Sequence, residues 1–264
     1  MWFHLGAGER IDQLGRYSQT MASLRVRQIL LEVLAIDQPD PPGLDGDTVW
    51  RRLCASVTLS VPVSGAGVAL MTAAGHGGTL AVTEGPAEVM ENLQRTLGEG
   101  PCLTAFHDRR PVLEHDLARA GQRWPGFAPA ATASGIAAIF AFPLQIGAIR
   151  LGVLDLYRDT AGPLDSLQLA EALDYAAAAT TILLDLQHEQ PTDGLQSQLS
   201  DALDNHRVIH QATGIISVQA SVGIDEALLL LRARAYADGR PLHELGQDVV
   251  ARTVTFHPED DHHE

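Results

Sequence analysis

RVIHQATGIISVQASVGIDEALLLLRARAYADGRPLHELGQDVVARTVTF, residues 207–256, resolves on its own terms into three helices. In the first, Ile209 and Ile216 continue at steps of seven a stripe that starts at Leu195 and Ala202, and Leu199 and Ala212 extend it at helical offsets. The second opens after Gly223, with Glu226 three residues on in a weakened capping box, and carries Ala227, Leu228, Leu231 and Ala235 along one face. Gly239 fits the stop of that helix. Pro241 fits the start of the next, where a missing N–H is harmless, and Leu242, Leu245, Val249 and Val250 form its apolar face. Three short amphipathic helices predict a compact bundle.

Two kinds of residue in this stretch are not needed for folding. Gly214 falls mid-helix, where glycine costs about 1 kcal/mol relative to alanine; close approach of a neighbouring helix would offset that cost, and a tolerated glycine is the plainer alternative. Arg207, Arg232, Arg234 and Arg240 supply planar guanidinium groups suited to bidentate phosphate contacts and to stacking on unpaired bases. Tyr236, four positions after Arg232, adds a stacking surface on the same side of its helix. The bland counterpart is a solvated arginine face without a ligand. Residues 200–256 hold five arginines against seven carboxylates, a net −2, so the basic surface is thin and binding by one copy is expected to be weak and salt-dependent.

The residues Arg207, Ile209, Ala212 and Gly214, then Leu231, Arg232 and Ala235, then Gly239, Arg240 and Leu242 recur at the offsets of a known family, and the stretch resembles an ANTAR domain. The resemblance implies an RNA-binding module of bacterial transcription antiterminators, with Arg232 and Arg240 as the foremost contacts. It implies as target nascent mRNA with paired small hairpins, whose stabilisation prevents a competing terminator. Thr213 stands where many members carry lysine, Gln247 where a basic residue is common, and Gly246, usually alanine among relatives, reads as drift.

The chain is long enough, at 264 residues with 45% hydrophobic and 19% charged, for two folded units. Its net charge of −15 argues against non-specific adhesion to nucleic acid or anionic membranes. No apolar run reaches membrane-spanning length and the N-terminus lacks a signal-peptide pattern, so no membrane partner and a cytoplasmic location are expected. The sequence contains no lysine. That absence argues against a Walker-A phosphate loop, a Schiff-base enzyme, a protein kinase and a phosphate-accepting receiver domain, each of which depends on a specific lysine. The input signal must therefore enter through another kind of sensor.

Residues 47–161 carry that sensor. Trp50, Leu53, Val57 and Val61 mark a helix; Val68 and Leu70, then Leu80 and Val82, alternate as strands joined across a turn at Gly75-His76-Gly77-Gly78. Val89, Met90, Leu93 and Leu97 give a helix, Val112 begins a short strand, and Ile136–Leu144 pairs with Ile149–Tyr157 across a turn near Gly147. Through Gly98-Glu99-Gly100-Pro101-Cys102, Arg110-Pro111-Val112, Asp116-Leu117, Trp124-Pro125-Gly126-Phe127, Phe142-Pro143-Leu144 and Leu151-Gly152-Val153-Leu154, the region resembles a GAF domain. The fold class expected is thus α+β: a GAF-like antiparallel sheet with flanking helices, followed by an all-α three-helix ANTAR bundle. The family layout implies a small-molecule ligand near Cys102, His107, Asp116, Trp124 and Phe127, while an empty pocket with a merely dimerising role is the alternative. No cofactor is named; the absence of lysine argues against cyclic nucleotide, because the pattern of members that bind it needs one.

Cys54 and Cys102 are the only cysteines, as expected in a reducing compartment. Cys54 reads as core; Cys102, after a glycine-rich turn, reads either as a small buried thiol or as a reactive one. The histidines lack metal-ligand spacing, so no metal site is expected. Leu169, Leu173, Ala176, Thr180, Leu183 and Gln187, like Tyr17, Met21, Leu24, Gln28, Leu31 and Ala35, alternate steps of four and three, the spacing of a seam between two helices. Each seam can pair between subunits of a homodimer or pack on its own sensor. The expected organisation is an N-terminal helix and Pro/Asp-rich linker over 1–46, sensor and connecting helix over 47–190, RNA-binding domain over 196–256 and acidic tail over 257–264. The whole reads as an RNA-binding antitermination regulator and not an enzyme. A DNA-binding regulator and a GAF-type redox sensor or enzyme using Cys102 are the alternatives.

Overall fold

A computed structural model describes residues 24–34, 49–72, 75–188 and 193–256. Helix α1 spans residues 24–34, and α2 (Val49–Ser60) precedes the hairpin β1 (Gly65–Thr72) and β2 (Gly75–Val82). Then come α3 (Pro86–Leu97), α4 (Pro101–Asp108), β3 (Val112–Glu114), a 3-10 turn (Leu117–Arg119) and α5 (Phe127–Ala133). The hairpin β4 (Ala138–Ile146) and β5 (Ile149–Arg158) leads into α6 (Ser166–His188). All strand pairs are antiparallel, in the order β2-β1-β5-β4-β3.

Both faces of this sheet are covered, which is why β4 reads AIFAFPLQI instead of alternating with polar residues. Ala138, Phe140, Phe142 and Leu144 point into a core shared with α1, α2 and α6. Ile139 and Ala141 point the other way, into a second core with α3, α4 and α5. Cys54 belongs to the first core and Cys102 to the second, so the sheet separates the two thiols.

Three expectations need correction here. Gly75-His76-Gly77-Gly78 is not the hairpin turn but the start of β2 itself. The glycines serve a strongly irregular strand: the register slips between Leu70 and Met71, leaving Gly77 as the extra residue of a bulge, and Gly78 takes φ 156. Helix α4 goes beyond the expected pattern, because eight residues opened by Pro101 and stopped by left-handed Arg109 carry too few turns to show a period. The first seam does not face the sensor: Leu24, Gln28 and Leu31 are exposed, while Ile29 and Val33 pack into the sheet core and Arg25 Nε donates to Glu171 of α6 at 3.0 Å. In the second seam Ala176, Thr180 and Leu183 are buried on the chain's own core and Leu173 is exposed. Tyr17, Met21, Ala35, the residues 35–48 and the tail from 257, with the side chains of Gln187, Leu195, Leu199 and Ala202, lie outside the described residues.

The last unit is the three-helix bundle expected: α7 (Asp193–Ala220), α8 (Ile224–Ala237) and α9 (Leu242–Val250). Ile209, Ala212 and Ile216 meet Ala227, Leu231 and Ala235 and then Leu242, Leu245 and Val249 in one core. Gly239 ends α8 at φ 61, with Arg240 N–H on the Ala235 carbonyl and Gly239 N–H on that of Tyr236, and Pro241 caps α9. Val250 is exposed and not part of the core face.

The two bundle glycines exchange the roles expected of them. A Cβ on Gly214 would meet nothing within 4 Å, whereas one on Gly246 would lie 3.2 Å from Val208 Cγ1 and 3.7 Å from Ala212 Cβ. Gly246 is therefore where α9 approaches α7 closely, and Gly214 faces open space. Gly214→Ala is expected to stabilise the chain by about 1 kcal/mol through helix propensity, and Gly246→Val to destabilise it by about 1–3 kcal/mol through overpacking. Chemical denaturation of the two variants checks both signs.

Candidate nucleic-acid interface and sensor core

Helix α3 has two working faces. On the sheet side it carries Glu91 and Gln94, both buried. Tyr157 Oη donates to Glu91 Oε1 at 2.6 Å, while Thr79 Oγ1 donates to Glu91 Oε2 at 3.4 Å and His76 Nε2 lies 3.3 Å from the same oxygen. Gln94 Nε2 donates to Asp155 Oδ2 at 3.3 Å, and its Oε1 accepts the Cys102 N–H at 2.8 Å. Gly67 and Gly100 make the room: a Cβ at Gly67 would sit 2.4 Å from Glu91 Oε1, and one at Gly100 2.6 Å from Gln94 Oε1. Asp155 Oδ1 has no full-strength partner, since the neighbouring Cys102 thiol is a weak donor. Burial, and then the Glu91 carboxylate, push the Asp155 carboxyl well above the usual range. Burial first and the Asp155 and Glu91 carboxylates next also raise the Cys102 thiol, the opposite of what a reactive thiolate needs.

Sequence reasoning missed this network. The one signal was Asp155, a carboxylate inside the otherwise apolar strand LGVLDLY. Among the anticipated pocket residues, Cys102, Trp124 and Phe127 do gather in the core between sheet and helices. Trp124 Nε1 donates to Thr104 Oγ1 at 3.1 Å and its ring meets Phe127 edge-on, while the Phe127 N–H is held by Glu99 Oε1. His107 and Asp116 are not with them. His107 is exposed, with Nδ1 2.8 Å from the Leu103 carbonyl, and Asp116 caps the 3-10 turn and pairs with Arg119 at 3.1 Å.

The outer face of α3 meets α8 and α9. Arg232 of α8 lies over Gly98, the left-handed cap of α3 at φ 66, so closely that a Cβ there would sit 2.3 Å from its Nη1. Burial lowers the pKa of this guanidinium, and its Nε is buried without a partner. Next to it, Val89, Asn92, Leu93 and Thr96 of α3 and Tyr236, Arg240 and Pro241 of the bundle line a cleft of about 320 Å³. Three of the five residues read as RNA contacts, Arg232, Tyr236 and Arg240, thus turn toward the sensor. Arg240 is also held by Asp248 at 2.8 Å, Arg234 pairs with Asp238 at 2.8 Å, and Arg207 is exposed on α7 with its own partner. Thr213, at the position where relatives carry lysine, is buried and donates to the Ile209 carbonyl at 2.7 Å.

A sheet-and-helix sensor joined to a three-helix reader defines a two-part regulatory protein, and the comparisons with known proteins agree. The GAF domain model matches residues 39–185 and the ANTAR domain model residues 197–250, so the chain belongs to the GAF domain family and carries an ANTAR domain behind it. It is a regulator with a sensory input domain. No curated protein matches it. Among solved structures, it is similar to a domain of a two-component sensor histidine kinase protein from Sinorhizobium meliloti (19% identity, 53% of this chain and 92% of that one, TM-score 0.45). A GAF domain of a phosphoenolpyruvate-protein phosphotransferase from Coxiella burnetii matches at 13% identity over 63% and 95% of the two chains, TM-score 0.45. A type II free methionine-R-sulfoxide reductase from Thermoplasma acidophilum matches at 16% identity over 51% and 88%, TM-score 0.39. Among the described residues, no single helix is long and apolar enough to cross a membrane, and no group of three His, Cys, Asp or Glu side chains could hold a metal ion.

Proposed function

We propose that the chain is a transcription antiterminator that grips hairpins of nascent mRNA with its ANTAR bundle and is held back by its own sensor. The carrying observation is Arg232, the foremost RNA contact implied by family resemblance, packed on the Gly98 cap of the sensor helix α3. An arginine half-buried there is turned away from an RNA phosphate for most of the time. A signal received in the sensor core moves α3, frees Arg232 and opens the Tyr236–Arg240 cleft. The net −2 of the bundle makes one copy a weak binder, and a homodimer bringing two bundles to two hairpins offsets this through effective concentration. The exposed Leu24, Leu31 and Leu34 of α1, together with Leu173 of α6, supply an apolar strip for that pairing.

A gel shift with a two-hairpin leader RNA beside a duplex DNA of equal length tests the function. Hairpin RNA is expected to bind tighter and DNA to be bound weakly or not at all, since His243, Glu244, Gln247 and Asp248 make a poor recognition helix. Arg232→Ala with Arg240→Ala is expected to weaken hairpin binding about tenfold or more, with the bundle still folded. Equal affinity for RNA and DNA, or an unaffected double variant, would contradict the assignment. The raised pKa of Cys102 speaks against thiol chemistry at that position.

A further inference from the structure

The cleft of about 320 Å³ between α3 and the bundle lies at the small end of the range for small-molecule sites, with room for roughly ten non-hydrogen atoms at the volume a water takes in the liquid. Both units build it. Val89 and Leu93 of α3 and Ala235 and Pro241 of the bundle give it apolar walls, and Tyr236, 50% exposed, adds an aromatic one. Elsewhere the seam is incompletely satisfied, since Arg95 Nε and Arg232 Nε are buried on it without partners.

Thr96 is the polar group that this packing leaves unanswered. It lines the cleft at 5% exposure, yet among the described residues nothing bonds its hydroxyl, whereas Thr104, Thr132, Thr180 and Thr213 each donate to the carbonyl four residues back. So buried a hydroxyl rarely goes without a partner. One turn earlier, Asn92 gives its Oδ1 to Arg95 Nη2, which leaves its NH2 for the cleft. Arg240 is the one lining residue charged at neutral pH, and Asp248 at 2.8 Å and Glu244 at 4.0 Å already answer it. The cleft therefore offers hydrogen-bond donors and apolar surface without a net charge.

We infer that this cleft takes a small uncharged aromatic molecule bearing a carbonyl, and that its binding pins the bundle to the sensor; the inference rests on the restraint by the sensor proposed above. The ring fills the space between Tyr236 and the aliphatic walls, while the carbonyl accepts from the Thr96 hydroxyl and the Asn92 NH2. An anion gains little from an arginine already paired, and a cation finds no carboxylate in the lining. Because residues of both units form the cleft, the molecule binds only while they are together. By linkage it opposes release of Arg232 and lowers affinity for RNA. Such a molecule is an inhibitory signal that enters at the seam and not through the core of the sensor.

Benzamide, with benzoate and benzylamine as charged counterparts of similar shape, tests this on the full-length chain. Benzamide is expected to raise the melting temperature and slow hydrogen exchange in α3 and α8, and the charged pair at equal concentration to do neither. At about ten times its dissociation constant it is expected to weaken binding of a two-hairpin leader RNA about tenfold, the factor that exclusive binding to the closed form gives. Thr96→Val removes a hydroxyl without a partner, so the fold is kept while benzamide binds about fivefold more weakly, the scale of one hydrogen bond. Val89→Trp, at a position 43% exposed, fills the cleft and is expected to abolish the response. No response in the native chain, an equal one to benzoate, or one untouched by both variants overturns the cleft assignment alone. Seam protection by benzamide in a chain whose hairpin binding is absent or unchanged upholds the cleft and overturns the restrained antiterminator beneath it. A leader RNA that protects the seam by itself marks the occupant as a base and overturns the assignment.

Discussion

Gly98→Asn is expected to raise hairpin affinity about tenfold, within the usual range of coupling between sites. Asparagine tolerates the left-handed backbone that caps α3, so the helix end is kept. Its Cβ, however, claims the place of the Arg232 guanidinium, 2.3 Å from Nη1. Arg232 must leave. The loss is small on the sensor side, because its Nε is buried there without a partner and burial already disfavours its charge. The gain should disappear when Arg232→Ala is added, since the freed group is then missing. Filter binding with single and double variants checks this; an unchanged affinity in Gly98→Asn, with hydrogen exchange showing α3 and α8 parted, would refute restraint by the sensor.

The second large effect concerns stability. Asp155→Asn is expected to stabilise the chain by about 1–3 kcal/mol at neutral pH, the scale of relieving a buried, incompletely paired polar group. The sign follows from the raised Asp155 carboxyl. The native state holds a proton that the unfolded chain releases above about pH 4. That contribution to stability is therefore complete below the ordinary carboxylate range and is lost as pH rises through the raised value. An asparagine keeps the shape without the charge, so the variant and the native chain should converge near pH 4 and separate toward pH 8. Urea denaturation across that interval measures the difference, and a less stable variant at pH 8 would show that the ionised carboxylate has a compensating partner.

Periodicity carried most of the architecture. The stripes of α7, α8 and α9, the stop at Gly239 and the tight turn at Gly147 are local patterns that need no partner to be read. What stayed hidden depends on contacts distant in sequence. Glu91, Gln94, Asp155 and Tyr157 become one network only after β5 pairs beside β1 and α3 folds over both. Helix phase likewise tells that Gly214 and Gly246 lie on particular faces but not which neighbour each face meets, and so their roles were exchanged. Arg232 was visible as a charged residue with no folding duty; that its seat is a glycine of the other unit was not.

Helix α3 is only one helix thick, and that thinness has a consequence. Glu91 and Gln94 look inward to a hydrogen-bonded set of buried polar groups, while Asn92, next to Glu91, and Thr96, two residues past Gln94, line the cleft toward the three-helix bundle. A signal arriving at the inner surface needs no relay through loops or a second helix to be felt outside. On the proposed function, a small roll of this single cylinder would translate a change in the sensor into access at the transcript, and its twelve residues would be the place where sensitivity and leakiness of the response are tuned together.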